Sequence, residues 1–225
     1  LSINSNIQKV IHTSTSEVYG TPKYLPIDEK HLVAAQSPYA ASKIAADQIA
    51  LSYHKSFNVP VSILRPFNTF GPRQSLRAVI PTLITQFISL NKKNNFVKIG
   101  NLKTSRDFVY VKDTVAGLIS LLKNTCKPGE IYNICTGKSF SIKSIINILI
   151  NLTQRKPKIL ISKKKIRASE VFDLRGSNKK LLNSNKWSPK FKDKKGFKSA
   201  LKETLDWFKK EENLKKYSNI KKYNI

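Results

Sequence analysis

The chain has 225 residues, of which 40% are apolar, and it carries 41 Lys and Arg against 14 Asp and Glu. This apolar content can build one large hydrophobic core or two small ones, which excludes a disordered, collagen-like or disulfide-framework protein. The cysteines Cys126 and Cys135 show no metal-ligand spacing, so we predict no metal site and a reducing, cytoplasmic location. No apolar run is long enough to cross a bilayer, and we expect no membrane partner.

The formal net charge of +27 comes mainly from scattered lysines, with short runs at residues 163–165 and 192–195. Sequence-specific nucleic-acid binders use arginine forks and aromatic stacking platforms, and the sequence shows neither pattern. We therefore predict a lysine-rich solvated surface with no specific nucleic-acid partner, although polyanions should bind it weakly at low salt.

Segments rich in Val and Ile alternate with amphipathic segments, which is typical of a parallel sheet covered by helices. Strands are predicted at residues 9–13, 59–65, 97–100, 108–111, 131–134 and 158–161. Helices are predicted at residues 38–56, 78–90, 113–123, 141–153, 178–183 and 196–212. The sequence therefore predicts an α/β fold, with a C-terminal tail that frays or continues one exposed helix.

The helix predicted at residue 38 has a clear start, because Ser37 can cap it and Pro38 suits its first turn. Tyr39 and Lys43 are four residues apart on this helix and share one face. An ammonium group beside a phenol favours the phenolate, so Tyr39 can serve as a general base for a substrate hydroxyl. The same spacing also arises by chance in exposed helix pairs, and that alternative stays open.

Several motifs follow one another in chain order. They are STSEVYG at 14–20, SPYAASK at 37–43, RPFNTFGPR at 65–73, RDFVYVKD at 106–113 and YNI at 132–134. Together they resemble the extended short-chain dehydrogenase/reductase family, the NAD-dependent epimerases and dehydratases of nucleotide sugars. Residues 177–208 are similar to the C-terminal ending of that family. The resemblance is closest to 4,6-dehydratases of the UDP-N-acetylglucosamine or GDP-mannose type.

The resemblance implies the C-terminal portion of a doubly wound, Rossmann-like parallel sheet plus a smaller α/β substrate-binding domain. It assigns 1–70 and 106–135 to the NAD-binding domain, 71–105 and 136–210 to the nucleotide-sugar-binding domain, and 211–225 to a tail. The glycine-rich turn Gly-x-x-Gly-x-x-Gly, which holds the NAD pyrophosphate in this family, does not occur in the chain. We therefore expect roughly one hundred further residues before Leu1 in the full protein.

The resemblance implies catalytic roles for Thr15, Ser16, Glu17, Tyr39 and Lys43. Tyr39 would take the proton of the sugar C4 hydroxyl, with Lys43 favouring its phenolate form and Thr15 hydrogen-bonding the same hydroxyl. Glu17 would take the C5 proton while water leaves C6, and the proton for the leaving hydroxyl would come from Glu17 or through Ser16 and water. For Glu17, the alternative of a plain surface carboxylate at a strand end stays open.

The family resemblance also implies binding residues. NAD would contact Thr13, Tyr39, Lys43 and Pro66, and the nucleotide sugar would contact Thr15, Asn68, Val79, Ile80, Arg106, Asn133 and Arg167. A guanidinium fork such as that of Arg106 suits a diphosphate, and Asp107 could hold the fork in place. For Asn68 a turn role, and for Val79 and Ile80 an ordinary place in a helix core, stay open.

The function implied by the resemblance is an NAD-dependent 4,6-dehydratase of surface-polysaccharide biosynthesis. Hydride would move from C4 to NAD and back to C6 of a substrate such as UDP-N-acetylglucosamine, in a homodimer joined partly through the Tyr39 helix. A UDP-glucuronate decarboxylase or a UDP-sugar 4-epimerase of the same family stays open. So do two readings of another class, a truncated inactive remnant and a non-specific polycation binder.

Overall fold

The computed structural model describes residues 6–123, 126–163, 171–185 and 187–218 and confirms the α/β fold with parallel strands. The strands are β1 (Val10–Thr13), β2 (Val61–Pro66), β3 (Asn68–Phe70), β4 (Phe96–Ile99), β5 (Ser105–Arg106), β6 (Phe108–Tyr110), β7 (Ile131–Ile134), β8 (Phe140–Ser141), β9 (Lys158–Ile161) and β10 (Asp173–Leu174). The helices are α1 (Pro38–Phe57), α2 (Val79–Ile88), α3 (Val111–Lys123), α4 (Ile142–Thr153), α5 (Lys179–Asn185), α6 (Lys194–Lys209) and α7 (Glu211–Ser218).

A three-stranded parallel sheet forms the first part of the molecule, with β2 between β1 and β7. Val, Ile and Leu side chains make β2 apolar, and its residues are buried from Val61 to Arg65. In the register of the sheet, Thr13 lies opposite Leu64, and Pro66 lies opposite Ile134. The carboxyl ends of the three strands therefore meet at one edge, where open α/β sheets bind ligands.

The second part of the molecule consists of short strand pairs covered by α2, α4 and α6. β4 pairs with β9, β3 pairs with β6, and β5 lies between β10 and β8. Its core is aliphatic and aromatic, and the rings of Phe140 and Phe197 stack at 4.0 Å. This packing buries the apolar faces of helices that would not be stable alone.

The two hydrophobic cores meet at β6. Phe108 and Tyr110 pack into the second core, whereas Val109 between them packs into the first. This division follows from the alternation of side chains along a strand. Leu174 and Trp187 also pack into the first core, although both lie in the range assigned by sequence to the second domain.

The predicted helices and strands are confirmed in position, with one difference at the C-terminal end. The helix predicted at 196–212 is interrupted at Lys210, whose backbone is extended at φ −70° and ψ 121°. The chain then resumes as α7 inside the predicted tail. The strands β3, β5, β8 and β10 and a 3-10 helix at Ser16–Tyr19 were not predicted, because such short segments carry no period to recognise.

The predicted start of α1 is confirmed. Ser37 has an extended backbone, and its Oγ accepts a hydrogen bond of 3.1 Å from the Ala40 N–H. This cap satisfies one of the free N–H groups of the first turn. The helix therefore begins at a defined residue, which fixes Tyr39 in its first turn.

Gly176 packs against residues of the first core. A Cβ atom there would lie 2.6 Å from Phe67 Cζ and 2.7 Å from Cys135 Sγ, both of which are buried. We expect Gly176→Ala to lower the free energy of unfolding by about 1–3 kcal/mol, since a close-packed core has no room for the methyl group. Urea denaturation measures this loss.

The matched control for this clash is Phe67→Leu, which shortens the side chain at the contact. The double variant with Gly176→Ala should lose less stability than the sum of the two single losses, because neighbouring sites couple. A simple sum would contradict the proposed clash.

Candidate active site

The segment after β1 forms one wall of the candidate site. Thr13 is exposed at the end of β1, and Thr15 Oγ1 accepts a 3.2 Å hydrogen bond from the Glu17 N–H, which caps the 3-10 helix. Ser16 is buried, whereas Glu17 is exposed. The Thr15 hydroxyl oxygen is thus used as an acceptor, while its hydrogen can still be donated to another group.

Helix α1 lies beside this segment, because it packs against the 3-10 helix. Lys43 Nζ donates a 3.0 Å hydrogen bond to the Thr13 carbonyl, which ties the helix to the end of β1. The Tyr39 side chain is 50% exposed, and within the described ranges its hydroxyl has no hydrogen-bond partner. The structure therefore brings the elements that carry all five predicted catalytic residues to the same end of the sheet.

Unpaired polar atoms lie at the same edge. Pro66 ends β2, and the Asn68 N–H donates a 3.1 Å hydrogen bond to the Asp107 carbonyl. Asn68 Nδ2 and Ser14 Oγ are buried and have no hydrogen-bond partner among the described residues. Because buried polar groups are nearly always paired, these two atoms mark places where a ligand can complete the hydrogen bonding.

Arg106 is half-buried in β5, and its Nη1 donates to the carbonyls of Ser105 and Val171 at 2.8 and 2.7 Å. The expected partner Asp107 has a different role. Its carboxylate accepts hydrogen bonds from the Thr136 N–H and hydroxyl at 2.8 and 2.6 Å, and from the Gly137 N–H at 2.9 Å. Asp107 thus holds the loop after β7 in place. Burial raises its pKa to about 6, although these hydrogen bonds act in the opposite direction.

Asn133 does not reach the surface that the other predicted residues form. It is fully buried, its Oδ1 accepts a 2.8 Å hydrogen bond from the Tyr19 hydroxyl, and its Nδ2 donates to the Ile27 carbonyl at 3.2 Å. Its side chain is therefore engaged by the protein itself.

Two further predicted substrate residues lie at the start of α2. Ile80 belongs to the second core, and Val79 packs against that core from a half-buried position at the start of α2. Both placements match the alternative of an ordinary helix core. Arg167 lies outside the described residues.

A buried polar network was missed by sequence reasoning. Asp47 of α1 is fully buried, and its Oδ2 accepts hydrogen bonds from Arg65 Nε and Nη2 at 3.1 and 2.9 Å. The guanidinium of Arg65 also lies 4.9 Å from the centroid of the Tyr19 ring. Burial raises the pKa of Tyr19 to about 12, which keeps this phenol neutral. A usable signal existed, since Asp47 follows Lys43 by another helical turn.

Two surface depressions of the described chain, one beside Gln86 and Phe96 and one beside Phe140 and Lys194, include no predicted site residue. The described part of the chain contains no group of His, Cys, Asp and Glu residues suited to a metal ion. Within that part, none of the helices has the length and apolar character needed to cross a bilayer.

Comparison with known proteins identifies the family. The model of the GDP-mannose 4,6-dehydratase family matches residues 2–200, and the chain belongs to this family of nucleotide-sugar dehydratases and epimerases within the extended short-chain dehydrogenases/reductases. A dTDP-D-glucose 4,6-dehydratase from Homo sapiens is 33% identical over 97% of this chain and 61% of its own length. A GDP-6-deoxy-D-mannose reductase from Pseudomonas aeruginosa is 29% identical over 88% of this chain and 65% of its own length.

A solved structure shows the same likeness. The UDP-glucuronic acid 4-epimerase from Bacillus cereus, in complex with UDP-glucuronic acid and NAD, superposes with a TM-score of 0.82 at 28% identity. The match covers 92% of this chain and 63% of the epimerase chain. The chain thus spans less than two thirds of these relatives, and their names include a dehydratase, a reductase and an epimerase.

Asp107 provides a pH-dependent test of the loop contact. Its pKa in the folded chain, about 6, lies above the ordinary value of 3.8, so the folded state binds a proton more tightly than the unfolded state. This contribution to stability is complete below about pH 4 and is lost as the pH rises through 6, a change of about 3 kcal/mol. The Asn side chain of Asp107→Asn cannot titrate. As the pH rises from 4 to 7, the unfolding free energy of the wild type should therefore fall relative to that of the variant. Urea denaturation from pH 4 to 7 measures the difference, and a constant value would contradict the assignment.

Proposed function

We propose that this chain carries the catalytic residues of an NAD-dependent nucleotide-sugar 4,6-dehydratase. The observation that carries the proposal is the packing of α1, with Tyr39 and Lys43, against the 3-10 helix that contains Glu17. A base for a hydroxyl and a carboxylate for a carbon-bound proton thus lie on adjoining elements at the ligand-binding edge of a parallel sheet.

The residues at this edge fit NAD, which the epimerase structure from Bacillus cereus contains. Exposed Thr13, Pro66 at the end of β2, and Lys43 with its ammonium held at the Thr13 carbonyl would contact it, and the unpaired Ser14 hydroxyl offers a further partner. When bound, NAD supplies a hydride acceptor that later returns the hydride to the substrate.

The side chains of this chain divide the proton transfers among them. Tyr39 takes the proton of the C4 hydroxyl, and Thr15 hydrogen-bonds the same oxygen with the hydrogen that its cap contact leaves free. Oxidation at C4 makes the C5 proton acidic, Glu17 removes it, and the C6 hydroxyl leaves as water after protonation by Glu17 or through Ser16. A carboxylate suits this task because it can act first as base and then as acid.

The substrate diphosphate is assigned to Arg106 and Asn68. Arg106 has a guanidinium fork that its bonds to two backbone carbonyls hold in place, and Asn68 has an unpaired amide donor. Both chemistries suit phosphate oxygens. The base and sugar of the nucleotide are proposed by resemblance as UDP and N-acetylglucosamine.

We also propose a homodimer in the cytoplasm. Ile49 and Phe57 of α1 are 59% and 57% exposed, and they lie two helical turns apart. Exposed apolar side chains on one helix favour a helix-to-helix contact between copies. Cys126 and Cys135 are both free thiols, which suits a reducing compartment.

A nucleotide-sugar 4-epimerase is the second candidate, and the match to a 4-epimerase structure favours it. Tyr39, Lys43 and Thr15 serve both reactions equally, because both begin with oxidation at C4. The two reactions differ at C5 and C6, where only the dehydratase needs Glu17.

The role of Tyr39 is tested by Tyr39→Phe in the full-length protein. The variant should lose about 10²- to 10⁴-fold in kcat, since it cannot accept the hydroxyl proton. Formation of the 4-keto-6-deoxy sugar from UDP-N-acetylglucosamine, followed by NMR, measures the loss. Tyr53→Phe on the exposed part of the same helix is the matched control and should keep wild-type activity. A Tyr39→Phe enzyme with normal turnover would contradict the proposal.

The role of Glu17 decides between the two reactions. In deuterium oxide, the wild-type product should carry solvent deuterium at C5 and lack the C6 hydroxyl, and Glu17→Gln should lower this dehydration about 10²-fold or more. Glu203→Gln, which removes an exposed carboxylate paired with Lys112, is the control and should change nothing. A wild-type product that keeps the C6 hydroxyl, is inverted at C4 and carries no deuterium at C5 would replace the dehydratase with the epimerase.

A further inference from the structure

Three residues of α1 recur at intervals of about one turn. Lys43 reaches the carboxyl end of β1, and Asp47 is buried about 12 Å from Tyr39 along the helix axis. Asp47 is too far away to take part in chemistry at Tyr39. Its burial against the sheet instead determines how the helix is rotated and how far it is shifted along its axis.

Arg65 is the partner that fixes Asp47. It extends from the central strand β2, its side chain is 3% exposed, and its two hydrogen bonds to Asp47 Oδ2 use Nε and Nη2 together. Two donors of a rigid, planar group define direction as well as distance. His12 Nε2 of β1 lies 3.2 Å from the other Asp47 oxygen, so the carboxylate meets two neighbouring strands.

The same guanidinium also contacts the 3-10 helix that follows β1. Its Cζ lies 4.9 Å from the ring centroid of Tyr19, the last residue of the 3-10 helix that begins after Thr15. The Tyr19 hydroxyl is in turn held by Asn133, which anchors the ring to β7. One arginine therefore touches both elements that carry the proposed catalytic groups.

We propose that Arg65 is a positioning residue for the reaction. With Asp47 on one side and Tyr19 on the other, it sets the spacing between the Tyr39–Lys43 pair and the Thr15–Glu17 segment. This inference rests on the proposed function for the identity of the reacting groups, whereas the bridge itself rests on the contacts of Arg65 with Asp47 and Tyr19. A buried ion pair gives little net stability. We therefore assign the Arg65–Asp47 pair a role in fixing where the two elements lie rather than in stabilising the fold.

The test uses Asp47→Asn in the full-length protein. The amide keeps the shape of the side chain but loses the charge that holds the guanidinium. We expect kcat to fall about 10- to 100-fold while KM for UDP-N-acetylglucosamine changes less than about threefold, because small misplacements of reacting groups cost rate rather than binding. Arg65→Lys should give a similar loss, since one ammonium cannot make both contacts.

The matched control is Asp113→Asn. Asp113 is also buried, at the start of α3, and accepts hydrogen bonds from the backbone N–H groups of Lys190 and Phe191. It should lower the melting temperature while leaving kcat within about twofold at a temperature where the variant is folded. A kcat loss in Asp47→Asn no larger than in Asp113→Asn would overturn the proposal.

Two further measurements test the contact between Asp47 and Arg65 directly. The double variant Asp47→Asn with Arg65→Lys should be no slower than the slower single variant, because both act through one contact, and additive losses would overturn the proposal. Amide hydrogen exchange in residues 39–43 should quicken in Asp47→Asn, which tests the bridge without activity. If Tyr39→Phe stays active while this exchange still quickens, the proposed function fails and the positioning contact stands.

Discussion

The structure depends on the parallel pairing of β2 with β1 on one side and β7 on the other. A central strand buried on both faces must have all its backbone polar groups paired, and the fixed register of those pairs leaves no freedom to slide. Thr13 is therefore fixed opposite Leu64, and Pro66, two residues further along β2, is fixed opposite Ile134. The segments that follow these strands start from a common edge, which is why residues far apart in the chain can form one site.

Buried polar groups then fix the orientation of the elements around the sheet. Asp47, Arg65, Asn133 and Asp107 all lie inside the protein, and each one joins elements that the sheet alone would not orient. Asp107 secures the loop after β7, and Asn133 holds the Tyr19 ring. Such groups are tolerated inside a protein when they are paired, so the hydrogen bonds that they make restrict how the joined elements can be arranged.

Sequence reasoning recovered the features whose signals are local. The cap at Ser37 and the period of α1 follow from residues adjacent in the chain, and the family motifs are short continuous strings. The partners of Asp107 and Asn133 could not be predicted, because they come from loops and strands distant in sequence. A carboxylate or amide beside a recognised motif can bind a ligand or hold the backbone, and composition does not distinguish the two. The roles of the other candidate residues stay predictions.

The likeness to relatives of different activity has a simple physical reason. We propose that Tyr39, Lys43 and Thr15 act in the step that the dehydratase and the epimerase share, the removal of the C4 hydroxyl proton as that carbon is oxidised. The dehydratase then also removes the C5 proton, which needs a carboxylate, whereas the epimerase removes no further proton. Among the described residues, the 3-10 helix carries the carboxylate proposed for that step, with an exposed Glu17 after a buried Ser16. Because Tyr19, the last residue of this helix, contacts the Arg65 guanidinium, the side chain proposed to select the reaction and the arginine proposed to position it are directly connected.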